Sequence, residues 1–248
     1  MSAEPASLGR IRIVLSHTSH PGNIGAAARA MKTMGLSGLY LVSPGQFPHL
    51  DATAMASGAH DVLDQAIVVD SLDAALEGTV MAVAATARGR DLSHQVVSCR
   101  EASRQLVDEA AQADVAIVFG TERTGLTIAE VNKCGLIATI PTSTAYSSLN
   151  LAQAVQVFAY ELLMAARAPS AEPGAATAKA ALNVATHDEV ERFYEHLEQV
   201  MYQTQFLDPD QPGRLMQRMR RLFARARLER EEVNILRGIL SAMQDKGQ

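Results

Sequence analysis

The chain has 248 residues, 48% of them hydrophobic, with a net charge of −5 and no Trp. That length supplies one sizeable core and a small second unit. No apolar run approaches a membrane span, and the start, "MSAEPASLGR", lacks the basic and apolar segments of a signal peptide. The two cysteines, Cys99 and Cys134, are far apart and unpatterned, which suits a reducing cytoplasm and gives neither a disulfide framework nor a metal site. The acidic total argues against indiscriminate nucleic-acid binding but is silent about local patches.

Short β-branched runs alternate with helical stretches through the first two thirds of the chain, which predicts an α/β fold: a mostly parallel sheet with helices on both faces. The first run is Ile11–Ser16. It leads into "HPGNIGAAARAMKTMG", His20 to Gly35, a helix of small residues opened by a Pro-Gly-Asn-Ile-Gly turn. Gly22 and Gly25 permit close approach of a chain or ligand, and the helix start offers free N–H groups. No Gly-Lys-Ser/Thr follows, so it is not a P-loop, and the G-x-G-x-x-G spacing is absent. Arg29 shares a helical side with Gly25 and Lys32, and on residue chemistry alone it reads as part of a solvated face. His17 and His20 have no acidic or Cys partner nearby, so a zinc site is not expected.

Further strands are predicted at Leu39–Ser43, Ala66–Asp70, Val80–Thr86, Val115–Gly120 and Leu136–Pro141, with helices in "SLDAALEG", "CREASRQLVDEAAQ" and "LTIAEVNKC". Two more stretches stand where strands end. In "VFGTERTGLT", Val118 to Thr127, a buried strand delivers Gly120 to its carboxyl end, the place where open α/β sheets bind ligands. Glu122 and Arg123 form either a surface pair of little worth or part of a shaped loop. In "IPTSTAYSSLNLAQAV", Ile140 to Val155, hydroxyls and an amide crowd a helix start, more than capping requires. Ser147 or Ser148 is the expected cap of the helix that follows.

A linker rich in Ala, Pro and Gly is expected over 168–185, after a first domain of 1–167 and before a helical unit of 186–248. Thr186 with Glu189 forms a capping box, and Pro212 is placed to open the next helix. Val190, Phe193, Tyr194, Leu197, Val200 and Met201 recur at helical spacing, as do Val233, Leu236, Leu240 and Met243. A unit of this size is marginal alone and is expected to pack on the first domain or on a second copy. Its middle segment, "GRLMQRMRRLFARARLER", sets Arg214, Arg218, Arg221 and Arg225 on one stripe, flanked by Arg220, Arg227 and Arg230. Leu215, Met219, Leu222, Phe223 and Ala226 form the apolar one. That stripe is the footprint of a phosphate-backbone partner.

Taken together and in this order, "PGNIGAAARAM", "VFGTERTGLT" and "IPTSTAYSSLNLAQAV" resemble the three motifs of the SPOUT class of RNA methyltransferases. The phrases "IRIVLSHTSHPGN", "ARAMKTMGL", "YSSLNLA" and "RLFARARLEREEVNILRGIL" narrow the likeness to the bacterial tRNA ribose 2′-O-methyltransferases of anticodon-loop nucleotide 32. The likeness runs from Ile11 to Met243. It implies a sheet domain ending in a trefoil knot, and S-adenosyl-L-methionine as cofactor, bound by Ala85, Thr86, Ala87, Gly120, Ile140, Ser147, Ser148 and Leu149. It also implies a homodimer with tRNA as partner and no metal. Arg29 is implied as the active-site arginine, with Asn23 and Ser148 beside it, and the glycine turn would leave room for the target ribose. Guanidinium is too weak an acid to begin as a base, so Arg29 is expected to orient the 2′-hydroxyl and stabilise developing alkoxide character. The alternatives are a ribosomal-RNA 2′-O-methyltransferase, a non-catalytic RNA-binding knot protein and an ordinary nucleotide-binding α/β protein.

Overall fold

A computed structural model describes residues 5–87, 95–168, 183–210 and 213–246. The chain divides into two compact units, Met1–Pro169 and Ser170–Gln248.

In the first unit, strand β1 (Ile11–Ser16) is followed by α1 (Pro21–Thr33), β2 (Gly38–Val42), α2 (Leu50–Ala56), α3 (His60–Asp64), β3 (Ile67–Val69), α4 (Leu72–Leu76) and β4 (Met81–Ala85). Then come β5 (Val96–Ser98), α5 (Cys99–Ala110), β6 (Val115–Phe119), α6 (Ile128–Lys133), β7 (Leu136–Thr139) and α7 (Leu151–Arg167). All seven strands are parallel, in the order β3-β2-β1-β6-β4-β7-β5. The side chains of β1 divide by the strand's period of two. Ile11, Ile13 and Leu15 join a core built with α1, α2, α5 and α7, whereas Val14 joins a smaller one with α4 and α6. No described helix is long and apolar enough to cross a membrane.

The six expected strands are present, most with ends trimmed by a residue or two. Four short elements were not anticipated: α2, α3, β5 and a 3-10 turn at Ala6–Arg10. At three to seven residues they carry too few positions for a period to show. The expected cap of α7 is corrected. The helix begins at Leu151, and its cap is Asn150, whose Oδ1 accepts from Ala152 N at 2.9 Å. Ser147 and Ser148 stay in the preceding loop.

The second unit comprises α8 (His187–Gln203), α9 (Leu215–Ala226) and α10 (Arg230–Lys246). Its core buries Phe193, Tyr194, Leu197, Val200, Val233 and Leu240, with Met216, Met219 and Phe223 packed against them. Phe193 and Phe223 meet edge to face with centroids 4.9 Å apart. Thr186 N donates to Glu189 at 2.9 Å, as a capping box requires. Three members of the expected apolar stripes are exposed instead, Leu222, Ala226 and Met243. Most of the expected linker, and Pro212, lie outside the described residues. The end of that linker is fixed, however. Ala185 N donates to Leu228 O at 2.9 Å and Arg230 N to Asn183 O at 2.8 Å, so residues 183–185 belong to the helical unit.

Candidate active site

The carboxyl ends of β4, β6 and β7 open onto a cleft of about 150 Å³, at the strand ends where open α/β sheets bind ligands. Ala85, Thr86 and Ala87 leave β4, Gly120 leaves β6, Ile140 follows β7, and Ser147, Ser148 and Leu149 precede α7. All eight line this one cleft. Thr86 N donates to Ala138 O at 3.1 Å, which prolongs the ladder to the cleft rim. Sequence reasoning missed the floor. Phe119 and Phe158, 5.5 Å apart edge to face, line the cleft beside Ala138, Leu151 and Ala154. Nothing in their spacing sets them apart from ordinary core positions.

Gly120 has a local reason. A Cβ there would overlap the backbone of Gly125 and Leu126, because Thr121 to Gly125 folds back on the strand end and closes with Gly125 N donating to Thr121 O at 2.9 Å. Gly125 adopts a φ of +68°, which glycine accepts without strain. The tip of this tight loop is Glu122, a residue of the cleft lining.

Glu122 joins the loop to α1. Its carboxylate accepts from Ser19 N at 3.2 Å, Ser19 Oγ at 3.0 Å, His20 N at 3.2 Å and Asn23 Nδ2 at 2.9 Å. Asn23 Oδ1 in turn accepts from Asn150 Nδ2 at 2.9 Å. One amide thus links all three motifs. Burial alone would raise the Glu122 pKa, but the hydrogen bonds from Asn23 and from backbone N–H groups override it and hold it at about 2. The carboxylate is therefore ionised throughout the physiological range. His20 caps α1 by accepting from Gly22 N at 3.1 Å.

The glycine turn is not the opening for ribose that the resemblance implied, at least at Gly25. A Cβ there would overlap Ala52 O and come within 2.9 Å of Ala56 N. The space is filled by the backbone of α2, so Gly25 is a packing device. Arg29 does not line the cleft. It lies six residues beyond Asn23 on the same helix, about 9 Å along the axis. Its side chain is exposed, with no hydrogen-bond or ion-pair partner among the described residues.

A second polar cluster lies under β1. Ser16 Oγ donates to Glu130, which also accepts from Thr127 N at 2.6 Å and Thr127 Oγ1 at 2.8 Å. Burial opposes ionisation of Glu130, and these bonds outweigh it, leaving its pKa lowered. This network caps α6 and ties it to β1. Among the described residues no group of three His, Cys, Asp or Glu side chains is placed to hold a metal ion.

In the helical unit the arginines separate into two sets. Arg220 Nη2 bonds Glu191 at 2.7 Å and its guanidinium lies over the Tyr194 ring, and Arg230 Nε bonds Glu189 at 2.7 Å. Arg214, Arg218, Arg221 and Arg225 have no ion-pair partner among the described residues. Ion pairing therefore accounts for two of the flanking arginines and for none of the stripe, of which Arg214, Arg218 and Arg225 are exposed and Arg221 is half-buried.

Comparison with known proteins extends over both units. The SpoU rRNA Methylase family matches residues 10–160, and the tRNA methyltransferase TrmJ, C-terminal domain, matches residues 188–248. The tRNA (cytidine/uridine-2′-O-)-methyltransferase TrmJ of Pectobacterium atrosepticum is 50% identical over 239 residues, covering 96% of this chain and 98% of its own. The crystal structure of TrmJ from Z. mobilis superposes with a TM-score of 0.82 at 32% identity, covering 94% of this chain and 98% of that one. A structure described as giving insight into the 2-OH methylation of C/U34 on tRNA matches with a TM-score of 0.51 at 26% identity, over 62% of this chain and 95% of that one. The chain belongs to the SpoU methylase family, and its likeness through both units sets it in the TrmJ branch.

Proposed function

We propose that the protein is a tRNA ribose 2′-O-methyltransferase that uses S-adenosyl-L-methionine and acts on nucleotide 32 of the anticodon loop. The observation that carries tRNA over ribosomal RNA is that the likeness to TrmJ continues through the helical unit, where Arg214, Arg218 and Arg225 are exposed, Arg221 is half-buried, and none of the four has an ion-pair partner among the described residues. It also argues against the non-catalytic reading, because Asn23, Glu122 and the Ser147–Asn150 run stand together at a cleft.

The cleft suits the cofactor chemically. Phe119, Ile140, Leu149 and Phe158 offer an apolar slot for a purine, Gly120 a close backbone approach, and Ser147 and Ser148 polar groups for a ribose. The ionised Glu122 favours a cationic ligand at the rim. When bound, the cofactor supplies a sulfonium-activated methyl group. The residues of the chain do the rest. The Glu122–Asn23–Asn150 chain fixes the loops that hold the ligand, which makes Asn23 a positioning residue. The exposed Arg29 guanidinium orients the ribose hydroxyl and offsets negative charge growing on its oxygen. Because Arg29 is remote from the floor of its own cleft, RNA must lie across α1 for the two to cooperate. A homodimer that presents α1 and α7 at one surface serves that purpose.

The test is incubation of purified protein with unmodified tRNA and the cofactor, followed by nuclease digestion and mass mapping. A single 2′-O-methyl at nucleotide 32 is expected. Methylation at nucleotide 34, the site named for the more distant structural relative, or of ribosomal RNA alone, would overturn the assignment.

A further inference from the structure

Phe206 is 71% exposed in a unit whose Phe193, Tyr194 and Phe223 rings are packed together. It belongs to the connection between α8 and α9, and that connection is tied on both sides of it. Thr204 N donates to Val200 O and Gln205 N to Tyr202 O, while Leu207 N reaches Met201 O at 3.0 Å. The Leu207 side chain is buried, and Asp210 N donates to Asp208 Oδ1 at 2.9 Å. Gln205 has a φ of +57°, a left-handed backbone that a non-glycine residue adopts at some cost. An anchored turn thus holds an aromatic ring in water where an anchored aliphatic neighbour points inward.

Charged residues flank the ring along the chain. The connection ends at Arg214, the N-cap residue of α9, which with Arg218, Arg221 and Arg225 has no ion-pair partner among the described residues. Asp208 and Asp210, both exposed, follow the ring directly. Phosphate is drawn to the helix and repelled by the two carboxylates. A nucleobase is uncharged, has a π-face to stack, and carries amino groups from which carboxylates accept hydrogen bonds. We propose that Phe206 is a stacking platform for an unpaired nucleobase of the tRNA whose phosphates run along α9. The assignment rests on the reading of the protein as a tRNA enzyme.

The experiment uses the full chain and a fluorescently labelled tRNA transcript, with affinity measured at several salt concentrations. Phe206→Ala is expected to weaken binding about ten-fold, within the range for loss of one stacked base. The salt slope should stay unchanged, because no phosphate contact is lost. Phe206→Trp and Phe206→Tyr should bind within about two-fold of the unaltered chain. Phe206→Leu should be as weak as alanine, since it fills space without offering a π-face. Unaltered affinity in the alanine variant, or full affinity in the leucine variant, would overturn the proposal. A smaller sedimenting species for the free alanine variant would overturn it too, by assigning the ring to contact with a second copy. Absence of tRNA binding by the unaltered chain would overturn the tRNA reading and this assignment with it, whereas a failure confined to the Phe206 variants leaves that reading standing.

Discussion

Glu122 Oε1 lies 2.9 Å from Asn23 Nδ2, across 99 positions of sequence. The contact makes the loop after β6 and the start of α1 one body, and it fixes the charge of Glu122. A carboxyl whose folded pKa is held near 2, against an ordinary 4.5, stabilises the fold fully above about pH 4.5. That stabilisation is lost as the pH falls through about 2. Glu122→Gln should therefore lose stability at neutral pH and show a flatter decline between pH 4.5 and 2 than the unaltered chain. Thermal melts across that range check it. Parallel decline of the two proteins would mean the carboxylate is not held by these bonds in solution.

Arg29→Ala should lower single-turnover methylation by about 10²–10³-fold, the usual loss for one preorganised electrostatic contact. Cofactor binding should stay near normal, because Arg29 does not line the cleft. Arg29→Lys should recover little, since a point charge does not reproduce the forked donor. Calorimetry beside rapid-quench kinetics separates the two effects, and near-normal turnover in the alanine variant would make Arg29 a solvated surface residue.

Gly120→Ala should both destabilise the protein, by about 1–3 kcal/mol as overpacking does, and weaken the cofactor. Its Cβ has to displace the Gly125–Leu126 backbone, and Glu122 moves with that loop. Gly25→Ala should cost stability similarly, by forcing α1 from α2, with a smaller effect on cofactor affinity. Melting temperatures and equilibrium binding of both variants test the contrast.

Arg218→Ala with Arg221→Ala should weaken tRNA binding and flatten the logarithmic salt dependence by about one unit for each phosphate contact removed. Arg220→Ala should act differently, through stability, because that guanidinium is bound to Glu191 and stacked on Tyr194. A pair of denaturation curves distinguishes the two classes of arginine.

Cys134 is fully buried and its thiol is pushed up to about 12 by desolvation first and then by Glu130. Burial likewise raises the Cys99 thiol. Neither should react with a disulfide reagent at pH 8 until the protein unfolds, which an absorbance assay with and without denaturant resolves.

The parallel sheet was legible because its strands are continuously apolar and its long helices periodic. Gly120, Ile140, Ser147, Ser148 and Leu149 stood in two motifs at strand ends, whereas Ala85, Thr86 and Ala87 came only from the family resemblance. What the sequence hid is of two kinds. Phe119 and Phe158 look like core because they are core, and only the packing of β6 against α7 places them at the edge of a cavity. Gly25 looked like an opening because a glycine reports close approach without saying by what, and here it is the α2 backbone. Asn150 was passed over as a cap because serine stood earlier in the same polar run. Its two side-chain atoms serve different tasks, one closing α7 and one reaching Asn23.

β6 separates β1 from β4 in the sheet although it follows both in the chain. During synthesis, β1 has β2 on one side and nothing on the other until Val115–Phe119 emerges, and β4 waits for the same residues before gaining its first neighbour. A growing chain halted before residue 115 therefore leaves one edge of β1 and both edges of β4 unpaired, the form in which sheets pair with the wrong chain. Closure across about 100 residues is slow. The ribosome-bound intermediate, rather than the finished enzyme, is then the species most in need of a chaperone. Destabilising substitutions in β6 should lower the yield of folded protein more than equal losses in β2.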